Sequence, residues 1–484
     1  MNILFAAAEV APLLKTGGLA DVAAALPAAL RKLGHDVRIV MPRYQVIRLS
    51  KTPQQGPIAG FFAAAGVRVE PVEVFQTTVK DTPLYLIDVP AAFDRSQLYG
   101  MADDDARFVL FARSVLGLMQ HLRAVEGWHT EVVHANDWHA GLLPVYLKTL
   151  FARSFPAVAS MFTIHNLAYQ GTFSPFTLHL SGLTPGGDMT VHRDDDEQFN
   201  FMARAIRTAD VITTVSPTYA REVLTPEYGA GLDGVLRERR DRLFGVLNGI
   251  DTEIFDPSHD PQIAAPYSLK DMAGKAACKQ ALQAELGLSD DPTLPLIGMV
   301  SRLTDQKGLD LVTDVMPDLL AAGAQFIVLG SGDPQYEQTF ADLHRHHGNQ
   351  IASVLKFDAA LAQRIYAGCD MFLMPSQYEP GGLGPLIALR YGTVPIVRAT
   401  GGLNDTVREG SNGNGFRFQP YAVAMLQATL NRALMAFKDQ DSWAALRERG
   451  MREDFSWNTS AAIYSELYER ARQLHGPGNQ ASGS

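Results

Sequence analysis

The chain has 484 residues, 42 Lys and Arg against 52 Asp and Glu, and two cysteines. That length exceeds one ordinary hydrophobic core and predicts two α/β domains. A formal charge of −10 argues against non-specific nucleic-acid binding, and Cys278 and Cys369 make neither a disulfide framework nor a four-ligand metal site.

Residues 3–8 form a short apolar run that predicts a buried first strand. The run is too short for a signal-peptide core, Glu9 interrupts it, and no stretch reaches 18 apolar residues without a charge. The expectation is a soluble cytoplasmic protein with no membrane span. Lys15-Thr16-Gly17-Gly18 follows, and then Leu19, Val22, Leu26, Leu30 and Leu33 recur at helical spacing. The free N–H groups at that helix start favour an anion, with Lys15 beside them; ordinary βα-turn chemistry accounts equally for the glycines. Pro27 should kink the helix.

Strand two is expected over 36–41. A third lies over 67–74, where Pro71 argues for an edge position, and a fourth over 83–89. Asp103-Asp104-Asp105 supplies the acidic first turn of a helix over 106–124. Strands at 131–134 and 160–165 flank a helix over 138–150, and the polar interval 171–187 reads as a surface excursion. A strand at 211–215 leads into a helix opened by Pro217, and 243–247 gives way to the turn-rich Asn248-Gly249-Ile250-Asp251. The second half is more regular. Strands at 296–300, 325–329, 351–356, 371–374 and 394–397 alternate with helices, which predicts a parallel sheet covered on both faces. A helix over 457–474 ends the fold, and the composition from Gly476 onward predicts disorder.

Open α/β sheets bind ligands beyond the carboxyl ends of their strands. His134, Asn136, Asp137, Trp138 and His139 lie at such an end, without zinc-motif spacing. Asp137 fits a sugar contact or a helix N-cap. His165-Asn166 occupies the equivalent place after its own strand. In Ser301–Gly308, Arg302 and Lys307 are spaced to grip a pyrophosphate, or to balance Asp305 and Asp310 at the surface. Glu379-Pro380-Gly381-Gly382-Leu383-Gly384 offers backbone N–H groups and a hydroxyl acceptor, and Thr400-Gly401-Gly402-Leu403 repeats the arrangement. None is a P-loop. The acidic run 194–197 reads as a solvated helix start.

Together these segments resemble the bacterial glycogen synthases and plant starch synthases, the family-5 glycosyltransferases. The likeness rests on Lys15-Thr16-Gly17-Gly18-Leu19-Ala20-Asp21, His134-Ala135-Asn136-Asp137-Trp138-His139, Phe162-Thr163-Ile164-His165-Asn166, Leu247-Asn248-Gly249-Ile250-Asp251, Ser301-Arg302-Leu303 with Lys307-Gly308, and Pro375-Ser376 with Glu379-Pro380. It implies a GT-B architecture, two Rossmann-like domains facing across a deep cleft. The domains would cover 1–253 (glucan acceptor side) and 254–456 (nucleotide-sugar donor side), with a helix over 457–475 crossing back and a tail over 476–484.

The implied activity is a glycogen or starch synthase, moving glucose from ADP-glucose to the non-reducing end of an α-1,4-glucan with retention of configuration. No metal or other cofactor is implied, and no nucleic-acid or membrane partner; oligomeric state stays open. The implied catalytic residues are Asp137, His165, Arg302, Lys307 and Glu379. The implied substrate contacts are Lys15, Gly18, Asp21, Asn248, Gly381, Gly382, Leu383 and Gly384, with Phe357 stacking on the base. Alternatives are a UDP-glucose or other nucleotide-sugar transferase, a phosphorylase, for which no pyridoxal-phosphate lysine is marked, and a catalytically weak glucan-binding protein. The segment 377–385 departs from the family pattern at Gln377, Tyr378, Gly381, Gly384 and Pro385, with Gly381 replacing a cysteine and Pro385 removing an N–H at a helix start, and Asn136 replaces a common histidine.

Overall fold

The computed structural model describes residues 1–183 and 198–476. The acidic run 194–197 and residues 477–484 lie outside the described residues, as does the end of the interval 171–187. The chain divides into two compact units, Met1–Gly249 joined by the stretch from Trp457, and Ile250–Ser456. The division falls at Gly249, slightly before the expected boundary at 253.

The first unit is built on nine strands: β1 (Asn2–Ala6), β2 (Asp36–Pro42), β3 (Gln55–Ala65), β4 (Arg68–Val79), β5 (Thr82–Asp88), β6 (Val132–Asn136), β7 (Ala159–Ile164), β8 (Val211–Thr214) and β9 (Leu243–Gly245). Their order is β9-β8-β7-β6-β1-β2-β5-β4-β3. β1 lies between β2 and β6, parallel to both, and Ile3, Leu4, Phe5 and Ala6 are wholly buried, which is why its sequence is continuously apolar. Helix α1 (Gly18–Lys32) buries Leu19, Val22, Leu26 and Leu30 and continues through Pro27 without a break.

Several expectations are corrected here. The edge strand on this side of the sheet is β3, which sequence reading missed. β4 pairs with β3 on one side and β5 on the other. Pro71 is tolerated because its pairing is with Phe62 of β3 alone; the ladder to β5 begins only at Glu73. The interval after Gly171 is not purely a surface excursion. Its helix Thr177–Ser181 packs against α2 (Asp104–His121), with Thr177 Oγ1 donating to Asp105 at 2.6 Å and Arg113 donating to the Ser181 carbonyl at 2.9 Å. α2, with the turn that extends it, is long and apolar enough to cross a membrane by length and composition. Phe108, Leu110, Phe111, Val115, Leu116 and Leu118 are instead wholly buried in this unit's core.

The second unit carries six parallel strands, β10 (Leu296–Val300), β11 (Gln325–Leu329), β12 (Ile351–Val354), β13 (Met371–Met374), β14 (Val394–Arg398) and β15 (Phe416–Phe418), in the order β12-β11-β10-β13-β14-β15. β15 was not foreseen; three residues give too short a run to show periodicity. Helix α3 (Leu309–Ala321) follows β10 and α4 (Leu383–Arg390) follows β13. Helix α5 (Trp457–His475) belongs to the first unit. Its Trp457, Tyr464 and Tyr468 join that core, and Ser460 donates to the Leu247 carbonyl at 2.6 Å. Both sheets reverse their strand order once, at β1/β6 and at β10/β13. Such switch points leave a crevice at the carboxyl ends of the adjacent strands.

Candidate active site

At the β1/β6 switch point, Asp137 stands directly after β6 with φ +53°, a conformation few non-glycine residues adopt. Its backbone N–H donates to the Thr163 carbonyl at 2.9 Å, and its Oδ1 accepts from the His165 N–H at 2.8 Å. The carboxylate does not cap the turn Trp138–Ala140, so the N-cap reading is set aside. Burial raises its pKa to about 7, against the pull of the His165 and Asn166 amides. His165 rests with Nε2 3.0 Å from Asn136 Oδ1, and burial lowers its pKa to about 3, leaving the ring neutral.

The other two histidines of the segment are core residues. His134 is held by Tyr468 Oη at 2.8 Å and Thr163 Oγ1 at 2.6 Å. His139 is packed among the Trp138, Tyr99 and Phe108 rings, at 4.0, 4.3 and 4.8 Å. Among the described residues no three His, Cys, Asp or Glu side chains are grouped to hold a metal ion.

Sequence reading missed Glu9. It is buried just beyond β1, and its Oε2 accepts from the Thr16 N–H at 2.6 Å and the Thr16 hydroxyl at 2.7 Å. Burial raises its pKa, while the Thr16 and Gly17 amides oppose the rise. Those two N–H groups, which precede α1, are therefore engaged by the protein's own carboxylate. Lys15 and Asp21, expected to meet substrate separately, pair with each other at 2.8 Å on the exposed rim. Gly18 opens α1, with nothing within 4 Å of where a Cβ would stand. The visible signal for Glu9 was a carboxylate closing an apolar strand. Asn248, beyond β9, is buried, and its Oδ1 has no hydrogen-bond partner among the described residues.

At the β10/β13 switch point Arg302 is exposed on the loop after β10. Lys307 and Glu379, from the two adjacent strand ends, form an ion pair at 2.6 Å with their side chains only 12% and 10% exposed. Ser376 Oγ donates to the same carboxylate oxygen at 3.0 Å. The N-cap of α4 is Gly382, φ +71°, which has no side chain to cap the N–H groups of the first turn. Pro385 lies in that turn, where a missing N–H costs no helix bond.

The second glycine loop is not a second phosphate cradle. Gly402 N–H donates to the Glu379 and Pro380 carbonyls, both at 3.1 Å, and a Cβ on Gly401 would collide with the Glu379 carbonyl. It is the bed on which the Glu379 loop lies. A third glycine pair, Gly330 and Gly332, was overlooked; a Cβ on either would strike the backbone at Ser301 or Leu303, beside Arg302. Phe357, after β12, stands 80% exposed.

Residues 2–238 match the family described as starch synthase catalytic domain, and residues 284–450 match glycosyl transferases group 1. A glycogen synthase of Syntrophotalea carbinolica is 46% identical, over 98% of this chain and all of the relative. Glycogen synthase 2 of Geobacter sulfurreducens is 43% identical, over 97% of this chain and 99% of the relative. Among solved structures, the catalytic domain of starch synthase IV from Arabidopsis thaliana, bound to ADP and acarbose, superposes with a TM-score of 0.90 at 35% identity. That match covers 98% of this chain and 99% of the other.

Proposed function

Because this chain belongs to the glycogen and starch synthase family of glycosyltransferases, we propose that it transfers glucose from ADP-glucose to the non-reducing end of an α-1,4-glucan, retaining the anomeric configuration. The observation that carries this reading is the β10/β13 switch point. Arg302, Lys307 and the uncapped start of α4 emerge there from adjacent strands, a set suited to a diphosphate leaving group. An ADP-bound relative of nearly the same fold supports adenine as the base, with exposed Phe357 as its stacking surface.

In this mechanism the leaving diphosphate gains charge as the glycosidic bond breaks, and Arg302, Lys307 and the α4 amides meet that charge where it develops. Glu379 is held through one oxygen by Lys307 and Ser376, which leaves its Oε1 for a sugar hydroxyl. Gly381, Gly382, Leu383 and Gly384 place backbone amides beside it. In the other unit, Asp137 stabilises positive charge on the reacting sugar and does not attack it. His165 lies against the sugar and Asn248 offers its unpartnered Oδ1. Departure and attack then take place on one face of the sugar, the leaving phosphate taking the acceptor's proton. The reaction needs no metal, since cations and helix amides neutralise the diphosphate; dialysis against EDTA should leave the rate unchanged. We place the enzyme in the cytoplasm.

The test is nucleoside diphosphate release from ADP-glucose and, separately, UDP-glucose, each with glycogen, followed by NMR of the new linkage. ADP-glucose should be the faster donor and the new linkage should be α. Faster turnover of UDP-glucose would overturn the adenine assignment. Release from neither donor would favour a glucan-binding protein with an altered 377–385 segment.

A further inference from the structure

We propose that Asn136 is a positioning residue: it fixes the ring of His165 as the Nε2–H tautomer, leaving Nδ1 as an acceptor for one hydroxyl of the donor sugar. The proposal rests on the reading above that His165 lines the glucose.

Asn136 is the last residue of β6 and is wholly buried. Its Nδ2 faces two backbone carbonyls, those of Ala6 at 3.1 Å and His134 at 3.3 Å. Carbonyl oxygens only accept, so the amide must present its NH₂ to them and its Oδ1 to the opposite side. That oxygen lies 3.0 Å from His165 Nε2. A carbonyl oxygen again only accepts, so Nε2 carries the hydrogen. The ring's pKa lies far below neutrality because of burial, so it holds one hydrogen and Nδ1 has none.

The consequence is chemical selectivity. A bare ring nitrogen accepts a hydrogen bond from a hydroxyl and offers nothing to a phosphate oxygen. The arrangement therefore suits the sugar end of a nucleotide sugar and not its diphosphate. An imidazole at position 136 could present either a donor or an acceptor to His165. The asparagine, pinned by two strand carbonyls, presents one.

Two measurements test this on the full chain. The first is the imidazole ¹⁵N spectrum, with the His165 signal assigned by its loss in His165→Gln. The wild type should show the Nε2–H tautomer, and Asn136→Leu a mixture of tautomers. A wild-type Nδ1–H ring overturns the proposal whatever the enzyme assay gives. The second compares kcat/KM for ADP-glucose with that for its four monodeoxy analogues. The wild type should reject one analogue more than its neighbours, and Asn136→Leu should shrink that discrimination by about three- to tenfold, the scale of one neutral hydrogen bond. A purely structural defect would slow all five donors alike. Unchanged discrimination in folded Asn136→Leu overturns the recognition half. If that variant does not fold, Asn136→Ala, which removes the acceptor and adds no new polar group, gives the same comparison. Absence of transfer by the wild type from any donor overturns the function, and the ¹⁵N spectrum still decides the tautomer.

Discussion

The two switch points use their residues in opposite ways. At β1/β6 the ionisable groups are desolvated toward their neutral forms: His165 has its pKa driven to about 3 and Asp137 to about 7, both by burial. Their hydrogen bonds close inward, onto backbone amides and Asn136. At β10/β13 the site is made of charges: exposed Arg302, the Lys307–Glu379 pair, and an uncapped helix start. A sugar with hydroxyls asks for the first kind of surface and a diphosphate for the second. Under the function proposed above, the first sheet end orients a sugar and the second neutralises a diphosphate.

The sharpest way to break this contrast is at Lys307. Lys307→Ala should lower kcat about 10²–10³-fold, as loss of one electrostatic donor does. It also strands Glu379 in a nearly buried position, which should cost about 3–5 kcal/mol of stability. Arg302→Ala should match the loss of rate without the loss of stability, because Arg302 is exposed. Lys307→Met combined with Glu379→Gln should recover the stability and not the rate. Steady-state kinetics at saturating ADP-glucose and urea unfolding separate the two effects. Near-wild-type kcat in both single variants would remove Arg302 and Lys307 from the catalytic machinery and leave Lys307 only its ion pair with Glu379.

Asp137 tests the desolvated side. Its carboxyl has a folded-state pKa of about 7 against a reference of 3.8. Below pH 3.8 both states hold the proton and nothing is lost; as pH climbs to 7 only the unfolded state ionises freely, so folding weakens. Asp137→Asn, which keeps an acceptor for the His165 amide, should therefore stabilise the protein at pH 8, by up to about 4 kcal/mol on the scale of 1.36 per pKa unit. Near pH 4 it should change little. Urea unfolding at the two pH values reads this, and transfer activity should fall sharply at both. Equal stability changes at pH 4 and pH 8 would show that the carboxylate is not desolvated.

Element type was legible in the chain, and pairings were not. The runs at 296–300, 325–329 and 371–374 are apolar because strands buried on both faces must be, and the structure has them at those bounds. Asp137, His165, Arg302, Lys307 and Glu379 stood out as candidates because they lie just beyond the carboxyl ends of strands or in the loops that follow them. What sequence could not show is which side chains meet: Glu9 with Thr16, Asn136 with His165, Lys307 with Glu379. The last pair is 72 positions apart, and only the adjacency of β10 and β13 brings it together. The Gly401-Gly402 loop misled for the same reason. Glycine frees the backbone, but the pattern does not say whether a ligand or another loop comes close.

The glycines extend the comparison to smaller effects. Gly401 has φ +45° and its missing Cβ would fall against the Glu379 carbonyl, whereas Gly18 has open space around it. Gly401→Ala should cost at least about 2 kcal/mol, more than the left-handed conformation alone, and raise the donor KM by moving the Glu379 loop. Gly18→Ala should stay within about 1 kcal/mol. Thermal unfolding of the two variants decides; equal losses would mean that the two loops are equally filled.

The smallest effect is expected at Phe357, where stability and binding should part completely. The side chain is 80% exposed, so little packing is lost when it is removed, and surface changes of that kind stay within about 0.5 kcal/mol. A base stacked on it would be held equally in the ground and transition states, so the contact lowers KM without raising kcat. Phe357→Ala should therefore raise the KM for ADP-glucose about tenfold, the lower end of what one base–aromatic stack is worth. It should leave kcat and the unfolding midpoint almost unchanged. The KM for the glucan should not move. A drop in kcat at unchanged donor KM would mean that Phe357 acts on the reacting end of the donor, and the stacking assignment would fall.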